Sequence, residues 1–405
     1  MQKKLIALAV AGLASGAAFA QTNVTLYGVA DVGYVYSSGS AGHLGPVNIG
    51  GNNVFSGLVS GLLSGSRLGF RGEENLGNGL KAVFTLEYAL NLDNNSGVGN
   101  TGGLNARQQF VGLSGEKWGM VAFGRQYAPG YLATARNDPY GGALFEPQSF
   151  LSQQAGNSIT PNSAARWDNA MTYTSPNWNG FQAKAIYAFG ETQGTYPVVG
   201  GLTYNDKLTS VSDNGKWALG FNYANGPINA DLVYQQREHV TTNIGVFSGL
   251  GNGFPAVVTN QFNANGKSVN ELYVGGSYDF KAAKVMASWQ GQNDRNDANL
   301  DNQIWSVGVV IPVLQASNIH LAWSELLWDQ GHDNLGINRP LNGNSQAASL
   351  GWSTALSKRT TLYAGYVWVR NDNDSTPSGP VAGTDVTGAR GQTNNTFLAG
   401  INHAF

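Results

Sequence analysis

Residues 80–90, "LKAVFTLEYAL", alternate between apolar and polar side chains. One face of this stretch carries Leu80, Ala82, Phe84, Leu86 and Tyr88, whereas the other carries Lys81, Val83, Thr85 and Glu87. A repeat of two residues is typical of a β-strand, because successive side chains point to opposite faces. A tilted strand of about ten residues is long enough to cross a lipid bilayer. The stretch therefore predicts a strand with one face suited to lipid.

The same alternation recurs along the chain, for example in "FQAKAIYAF" (181–189) and "KWALGFNY" (216–223). We predict sixteen strands, which begin near Asn23, Ser66, Leu80, Arg107, Gly119, Arg166, Phe181, Lys216, Ile228, Asn270, Ala283, Asp301, Ser317, Gln346, Thr360 and Asn394. Short connections alternate with long ones rich in Gly, Asn, Ser and Asp. This layout is typical of outer-membrane barrels, with tight periplasmic turns and longer outer loops. The predicted fold is an all-β, 16-stranded antiparallel transmembrane β-barrel.

The composition is consistent with a barrel. Charged residues make up 12% of the chain, about half of the ~25% usual for soluble domains. No run of 18 apolar residues follows the first twenty residues, so we expect no transmembrane helix. A closed barrel can still span a membrane, because its backbone groups pair between strands. The absence of cysteine excludes disulfide and thiol chemistry, and the chain shows no basic excess that would favour nucleic-acid binding.

The first twenty residues combine two lysines, an apolar stretch and an Ala-Phe-Ala site that ends at Ala20. This layout predicts a secretory signal peptide (1–20) and export through the Sec pathway. A short membrane anchor is the alternative, but the apolar stretch is short and rich in Gly and Ala. The mature chain (21–405) would be a single barrel domain with 21 basic and 25 acidic residues, a net charge of −4.

The last strand, "NNTFLAGINHAF" (394–405), places Phe397, Ala399, Ile401, His403 and Phe405 on one face. His403 is the polar exception on this apolar face. A chain that ends on an aromatic ring is consistent with an aromatic girdle at the membrane interface. We therefore expect both termini on the periplasmic side, with the chain ending where the barrel closes. A frayed terminal tail is the alternative.

Four stretches give the sequence a family resemblance: "VTLYGVADVGY" (24–34), "SRLGFRGEENLGNGLKAVFTLE" (66–87), "RQQFVGLSGEKWGMVAFGRQY" (107–127) and the terminal "HAF". Over nearly all of the mature chain, the sequence resembles the Gram-negative trimeric general porins of Neisseria-, Bordetella- and Burkholderia-like bacteria. The resemblance implies a homotrimer in the outer membrane that lets small hydrophilic solutes diffuse passively. It also implies contact with lipid and lipopolysaccharide, and recognition of Phe405 by the barrel assembly machinery. It implies no cofactor.

The long connection over residues 128–165 would be the third outer loop. It contains Arg136, Asp138, Tyr140, a Gly141-Gly142 pair and Glu146. In similar porins this loop folds into the barrel and forms the constriction, and we expect the same here. An external loop is the alternative. The loop reads "DPYGGALFEP" rather than the "PEFGG" pattern of enterobacterial porins, so the motif does not identify which acid faces the wall arginines.

Strand alternation predicts which charges point into the lumen. Arg67 and Arg71 lie opposite an apolar face, as do Arg166 and Asp168, and Glu87 is also predicted to point inward. The parity of Arg107 is ambiguous, and Arg125 has the parity of an outward residue. Matching the porin motifs implies a basic cluster of Arg67, Arg107 and Arg166 that favours anions. The full candidate set for the constriction is Arg67, Arg107, Arg166 and Arg125 on the basic side and Glu87, Asp138 and Glu146 on the acidic side. An ordinary solvated lumen residue is the alternative for each arginine.

Other motifs do not support competing functions. "GVGNTG" (97–102) fits a dinucleotide-binding pattern by letter, but no helix is predicted to follow it. No G-x-S-x-G stretch occurs, and the five histidines lack metal-ligand spacing, so we predict neither an enzyme nor a metal site. The main alternative is a substrate-selective channel for small anions or sugars, with the many Trp and Tyr as a sugar-stacking surface. An adhesin or phage-receptor role of the outer loops also stays open.

Overall fold

The computed structural model describes residues 23–39, 42–44, 47–49, 54–94, 105–190, 194–195, 205–206, 214–240, 243–250, 254–262, 267–296, 299–329, 331–332, 340–372, 375 and 391–405. The predicted signal peptide (1–20) and the stretch 97–102 lie outside these residues. Within them, most of the regular structure is antiparallel β-strand.

Seventeen strand segments form one closed antiparallel sheet, and their order around the ring follows the chain. They are β1 (Asn23–Gly39), β2 (Val54–Ser60), β3 (Arg67–Gly77), β4 (Leu80–Ala89), β5 (Ala106–Gly115), β6 (Gly119–Tyr127), β7 (Arg166–Thr174), β8 (Phe181–Ala188), β9 (Lys216–Asn225), β10 (Ile228–Arg237), β11 (Val269–Asp279), β12 (Lys284–Asp294), β13 (Asn302–Leu314), β14 (Ser317–Trp328), β15 (Asn344–Ala355), β16 (Thr360–Asn371) and β17 (Thr393–Ala404). The ring closes where β17 pairs with β1, from Val29 opposite Ala404 to Gly39 opposite Asn394.

Segments β2 and β3 together make one barrel strand. β2 pairs with the second half of β1 and β3 pairs with the first half. Residues 61–66 between them leave the ladder, and we call these six residues the inner bulge. The barrel therefore has sixteen strands, as predicted. Fifteen predicted starts agree with the structure to within two residues, whereas the second barrel strand begins at Val54, twelve residues before the predicted Ser66. The sequence pattern missed β2, because its alternation is interrupted by the bulge.

The two faces of the barrel differ in polarity. Large apolar side chains on the outer face are open to the surroundings: Leu58 and Val111 are each 60% exposed. Side chains of the opposite parity point inward, and among them Asp31, Gln235 and Glu271 are buried and polar. An apolar outside and a polar inside are the reverse of a soluble protein and typical of a barrel in lipid.

The connection between β6 and β7 contains two helices, α1 (Pro129–Arg136) and α2 (Pro147–Gln154), and a 3₁₀ turn, Ser163–Ala165. We call residues 128–165 the inner segment. Both helices begin with a proline, whose missing N–H is not needed in a first turn. No helix in the described part of the chain has the length and apolarity to cross a membrane.

Other long connections carry short hairpins. Their paired strands are Gly42–Leu44 with Val47–Ile49, Gly194–Thr195 with Asn205–Asp206, Asn243–Leu250 with Phe254–Phe262, and Gly331–His332 with Pro340–Leu341. None of these four pairs joins the barrel sheet.

The largest hydrophobic cluster lies inside the barrel, between the inner segment and the wall. Phe145 and Leu151 of the segment share this cluster with Ile304 on β13, Leu326 on β14 and Val367 on β16. These side chains are almost fully buried, so removing them from water favours the docked position of the segment. Apolar packing thus holds the segment against the wall.

Candidate functional site

Polar contacts also tie the inner segment to the inward faces of the strands. The accepting residues alternate with the exposed apolar residues of their strands, so they lie on the inward face of the barrel. The contacts are Arg136 to Asp231 on β10, the Ser158 N–H to Glu271 on β11 (2.6 Å), Gln148 to Gln290 on β12 (2.7 Å) and the Tyr140 hydroxyl to the carbonyl of His320 on β14 (3.2 Å). The segment therefore packs against the inward faces of several neighbouring strands.

Glycines in the wall allow this close approach. A Cβ placed on Gly308 of β13 would lie 2.5 Å from the ring of Pro139, and one on Gly351 of β15 would lie 2.7 Å from the ring of Tyr140. Contacts this short are repulsive, so any larger residue would push the segment away from the wall. We call Gly308 and Gly351 the glycine seats.

A buried ion pair marks the other side of the lumen. Arg107 on β5 donates through Nε to Oε1 of Glu87 on β4 at 2.7 Å, and both residues are nearly inaccessible, at 5% and 4% exposure. Glu87 also accepts hydrogen bonds from the hydroxyls of Tyr27 and Tyr127, each at 3.0 Å. The Glu87 carboxylate is therefore fully engaged in holding its neighbours.

Three arginines converge on one tyrosine of the inner segment. Tyr131 on α1 stacks on Tyr127, with ring centroids 4.0 Å apart, and the Arg166 guanidinium lies 5.6 Å from the Tyr131 ring. Arg107 donates to the Tyr131 hydroxyl at 3.5 Å. Burial alone would raise the pKa of Tyr131, but the charges of Arg107, Arg166 and Arg67 outweigh burial and lower it. The structure therefore brings together Arg67, Arg107 and Arg166.

A β-bulge explains the ambiguous parity of Arg107. In the β4–β5 ladder, Gln108 pairs with Glu87 and Ala106 pairs with Tyr88, which leaves Arg107 without a residue opposite it. The extra residue reverses the alternation at this point, so Arg107 points inward although it has the same parity as the exposed Val111.

Arg125 and Asp168 form a separate ion pair beside this group. Arg125 on β6 donates to Asp168 on β7 at 2.7 Å, and the Asp168 side chain is 76% exposed. An irregularity separates the pairs Gly124–Ala170 and Gln126–Trp167, and Asn169 adopts a left-handed φ of 49° there. The irregularity interrupts the alternation of β7, so parity alone does not fix the direction of Asp168. Arg125 also donates to the backbone carbonyl of Arg166 at 3.2 Å, but its guanidinium pairs with Asp168 rather than with Tyr131 or Glu87.

Asp138 and Glu146 also lie apart from the arginines. Both are buried in the inner segment, where they line a small cavity with Ser288 and Ser306 of β12 and β13. Asp138 accepts the Tyr140 N–H at 2.7 Å. Burial raises the pKa of Asp138 from its ordinary 3.8 to about 7. Burial, followed by the charge of Asp138, also raises the pKa of Glu146. The expected arrangement of Asp138 facing the arginines is not what the structure shows.

Several residues of the site were not found from the sequence. Tyr27, Tyr127 and Tyr131 surround the Arg107–Glu87 pair, and Arg71 lies 5.4 Å from the Tyr27 ring. The inward parity of Tyr27 was readable, because it lies opposite the outward Leu26. The position of Tyr131 depends on the path of the inner segment, which no periodicity encodes.

Comparisons with known proteins agree with this architecture. The family model described as Gram-negative porin matches residues 7–374. Outer membrane porin protein 32 of Delftia acidovorans is 30% identical, with 100% of each chain covered. An outer membrane porin protein of Bordetella pertussis is 29% identical, with 92% of this chain and 95% of the relative covered.

A solved structure, an anion-selective porin from Comamonas acidovorans, superposes with a TM-score of 0.70 at 25% identity. The match covers 95% of this chain and 100% of that one. The closed sixteen-stranded ring, the inner segment and the family match lead to the same assignment. The chain belongs to the Gram-negative porin family and forms a channel barrel in the outer membrane.

Proposed function

We propose that the barrel lets small hydrophilic solutes and ions diffuse passively and that it weakly prefers anions. The observation that carries this proposal is the convergence of Arg67, Arg107 and Arg166 on Tyr131, with Glu87 as the one carboxylate bonded within the group. The relative from Comamonas acidovorans, described as anion-selective, supports the same sign of selectivity. No catalytic role is proposed, since porins are channels.

The physical reason is local electrostatics. Guanidinium groups stay protonated at any physiological pH, so three arginines bring three positive charges to this part of the lumen. Glu87 offsets one of them, because it is paired with Arg107 and enclosed by tyrosine hydroxyls. Low-dielectric walls around a narrow water column strengthen the remaining potential, which concentrates anions and repels cations.

The inner segment shapes this passage in the proposal. Its α1 helix carries Tyr131 to the arginines, while its α2 helix and the residues before it pack against the far wall. Because Asp138 and Glu146 are enclosed between the segment and that wall, they contribute little opposing charge to the passage. We therefore assign the constriction to the part of the lumen that is bordered by Tyr131 and the three arginines.

A planar-bilayer recording under a KCl gradient tests the proposal. Wild-type protein should conduct with a reversal potential that indicates chloride preference. The double variant Arg67→Ala with Arg166→Ala should lose this preference, whereas Arg359→Ala, at the exposed turn between β15 and β16, should keep it. Unchanged selectivity in the double variant, or cation preference in the wild type, would reject the proposal. A current that saturates with one solute would instead indicate a substrate-selective channel.

We also propose four properties, of which three rest on the family and one, the signal peptide, rests on the sequence. The barrel assembles as a homotrimer, and its outer face contacts lipopolysaccharide. Residues 1–20 are removed on export. The barrel assembly machinery recognises Phe405, which exchanges two backbone hydrogen bonds with Gly28 at the seam. Deleting Phe405 should lower the yield of heat-resistant trimers on unboiled gels, and a normal yield would contradict this role.

A further inference from the structure

The inner bulge (residues 61–66, "GLLSGS") turns into the lumen beside the arginines. Leu62 at its start is fully buried. The Leu62 carbonyl accepts a backbone hydrogen bond from Leu144 of the inner segment at 2.9 Å. The bulge therefore links the wall formed by β2 and β3 directly to the inner segment.

The bulge also contacts two of the three arginines. Ser64 accepts a hydrogen bond from the Arg67 guanidinium. A Cβ placed on Gly65 would lie 2.7 Å from Nη1 of Arg107, so the glycine leaves the space that this guanidinium occupies. The conformation of the bulge thus sets where both cations lie.

Asp31 on β1 holds this conformation. Its carboxylate accepts the backbone N–H of Ser64 at 3.1 Å and that of Leu63 at 3.4 Å. Its backbone carbonyl accepts the N–H of Gly61 and the hydroxyl of Ser66, both at 2.8 Å. One residue therefore binds the bulge at its beginning, middle and end.

The Asp31 carboxylate is itself fixed from the seam of the barrel. It accepts hydrogen bonds from the Tyr363 hydroxyl at 2.8 Å and from the Asn402 amide at 2.7 Å. Asp31 is fully buried, and its side-chain partners in the described structure are neutral donors. Hydrogen bonds to a carboxylate are stronger than those between neutral groups, so this arrangement suits an anchor for irregular backbone.

We propose that Asp31 is a positioning residue for ion selectivity, acting through the inner bulge on Arg67 and Arg107. The inference rests on the proposed role of the arginine group, and Asp31 itself does not contact the permeating ion. Without the carboxylate, the Ser64 and Leu63 amides lose their acceptor, and the bulge can shift away from the arginines. The same shift would loosen the contact between Leu62 and Leu144.

The variant Asp31→Asn distinguishes the positioning role of Asp31 from the direct effect of its negative charge on permeating ions. Removing a negative charge from the lumen would, by itself, raise the preference for chloride. If the arginines lose their places, the preference falls instead. We expect the chloride-to-potassium permeability ratio in a KCl gradient to fall by about twofold. A ratio that is unchanged or higher than in the wild type overturns the inference.

A second variant and a matched control complete the test. Gly65→Ala should displace Arg107 and lower the ratio while leaving Asp31 intact, and it decides the question if Asp31→Asn does not fold. An unchanged ratio in folded Gly65→Ala would also count against the inference. Asp168→Asn makes the same charge change at the exposed position beside Arg125 and should leave the ratio as it is. Wild-type protein without chloride preference would reject the proposed function, whatever the variants do.

Discussion

The wall from β2 to β7 and the wall from β8 to β17 differ in how regular their strand pairing is. The ladders between β8 and β17 keep their register throughout, except beside the turn at Pro312. The wall from β2 to β7 contains the inner bulge, the bulge at Arg107 and the irregularity at Asn169. The irregular features of the barrel interior therefore coincide with the arginines.

This difference shows how one sheet can serve two purposes. A regular ladder sends alternate side chains to fixed faces, and it would turn Arg107 toward lipid. A bulge reverses the alternation and brings the guanidinium into the lumen, next to Glu87. The regular wall instead offers the glycine seats and polar acceptors on which the inner segment docks. The irregular wall carries the arginine group, and the regular wall supports the segment that faces it.

The largest expected effect comes from breaking the ion pair of the irregular wall. Arg107→Ala leaves Glu87 buried with hydroxyl donors only, which should lower the free energy of unfolding by about 3–5 kcal/mol. Denaturant titration of the barrel in lipid vesicles measures this loss. Arg136→Ala is the control for the regular wall. It removes the arginine that pairs with Asp231 on β10, but the contacts of Asp231 with three asparagines remain. Its loss should be smaller, about 1.5–3 kcal/mol, and an equal loss would contradict the comparison.

The carboxyl pair enclosed against the regular wall should make stability depend on pH. The pKa of Asp138 is about 7 in the folded protein and 3.8 ordinarily. Between these two pH values, Asp138 is therefore protonated in the folded state and ionised in the unfolded state. Its contribution to stability is therefore largest at low pH and falls as the pH rises from about 4 to 7, by on the order of 2–3 kcal/mol.

The variant Glu146→Gln sharpens this prediction. The amide can still donate to Asp138 but cannot ionise, so the variant lacks the contribution of Glu146, whose own pKa is raised by burial and by the charge of Asp138. The unfolding free energy is measured at pH 5 and at pH 8 for both proteins. Its decrease between pH 5 and pH 8 should be smaller in the variant than in the wild type. The same loss in both proteins would show that the pair does not titrate as described.

A smaller effect is expected at the glycine seats. Gly308→Ala places a methyl group against Pro139, and such overpacking costs about 1–3 kcal/mol. If the inner segment moves instead, the single-channel conductance should change. Gly365→Ala is the matched control, because a Cβ there would lie 3.4 Å from its nearest neighbour, an ordinary contact. Identical behaviour of the two variants in denaturant titration and conductance would argue against a docked segment.

The smallest effect is expected at the irregularity in β7. Asn169 has a φ of 49°, a conformation that costs about 1–2 kcal/mol for most L-residues. Asn169→Val should therefore destabilise the barrel by roughly this amount, because a β-branched residue tolerates the conformation poorly. Asn169→Gly, which adopts it freely, should be close to neutral. Equal stability of the two variants would show that the backbone strain at this position is unimportant.

Much of the site could be read from the chain, within clear limits. Arg67 and Glu87 follow from alternation, because an uninterrupted repeat begins at Arg67 and another ends at Glu87. Arg107 came from motif resemblance, since parity alone was ambiguous. The direction of Asp168 stays a prediction, because a parity argument does not carry across an irregularity in the ladder. Asp31 shared the inward parity of Tyr27, but its donors come from residues more than thirty positions away or from the opposite end of the chain.

The sequence by itself determined the number of strands, their faces and their order, because these depend on local periodicity and loop length. It also located the connection that enters the barrel, through its resemblance to porins. Only the tertiary structure decided the position of the inner bulge, the partners of Asp138 and Glu146, and the meeting of three arginines at Tyr131. Those features depend on contacts between residues far apart in the chain, at places where the strand ladder is irregular. Local periodicity does not predict where such irregularities occur.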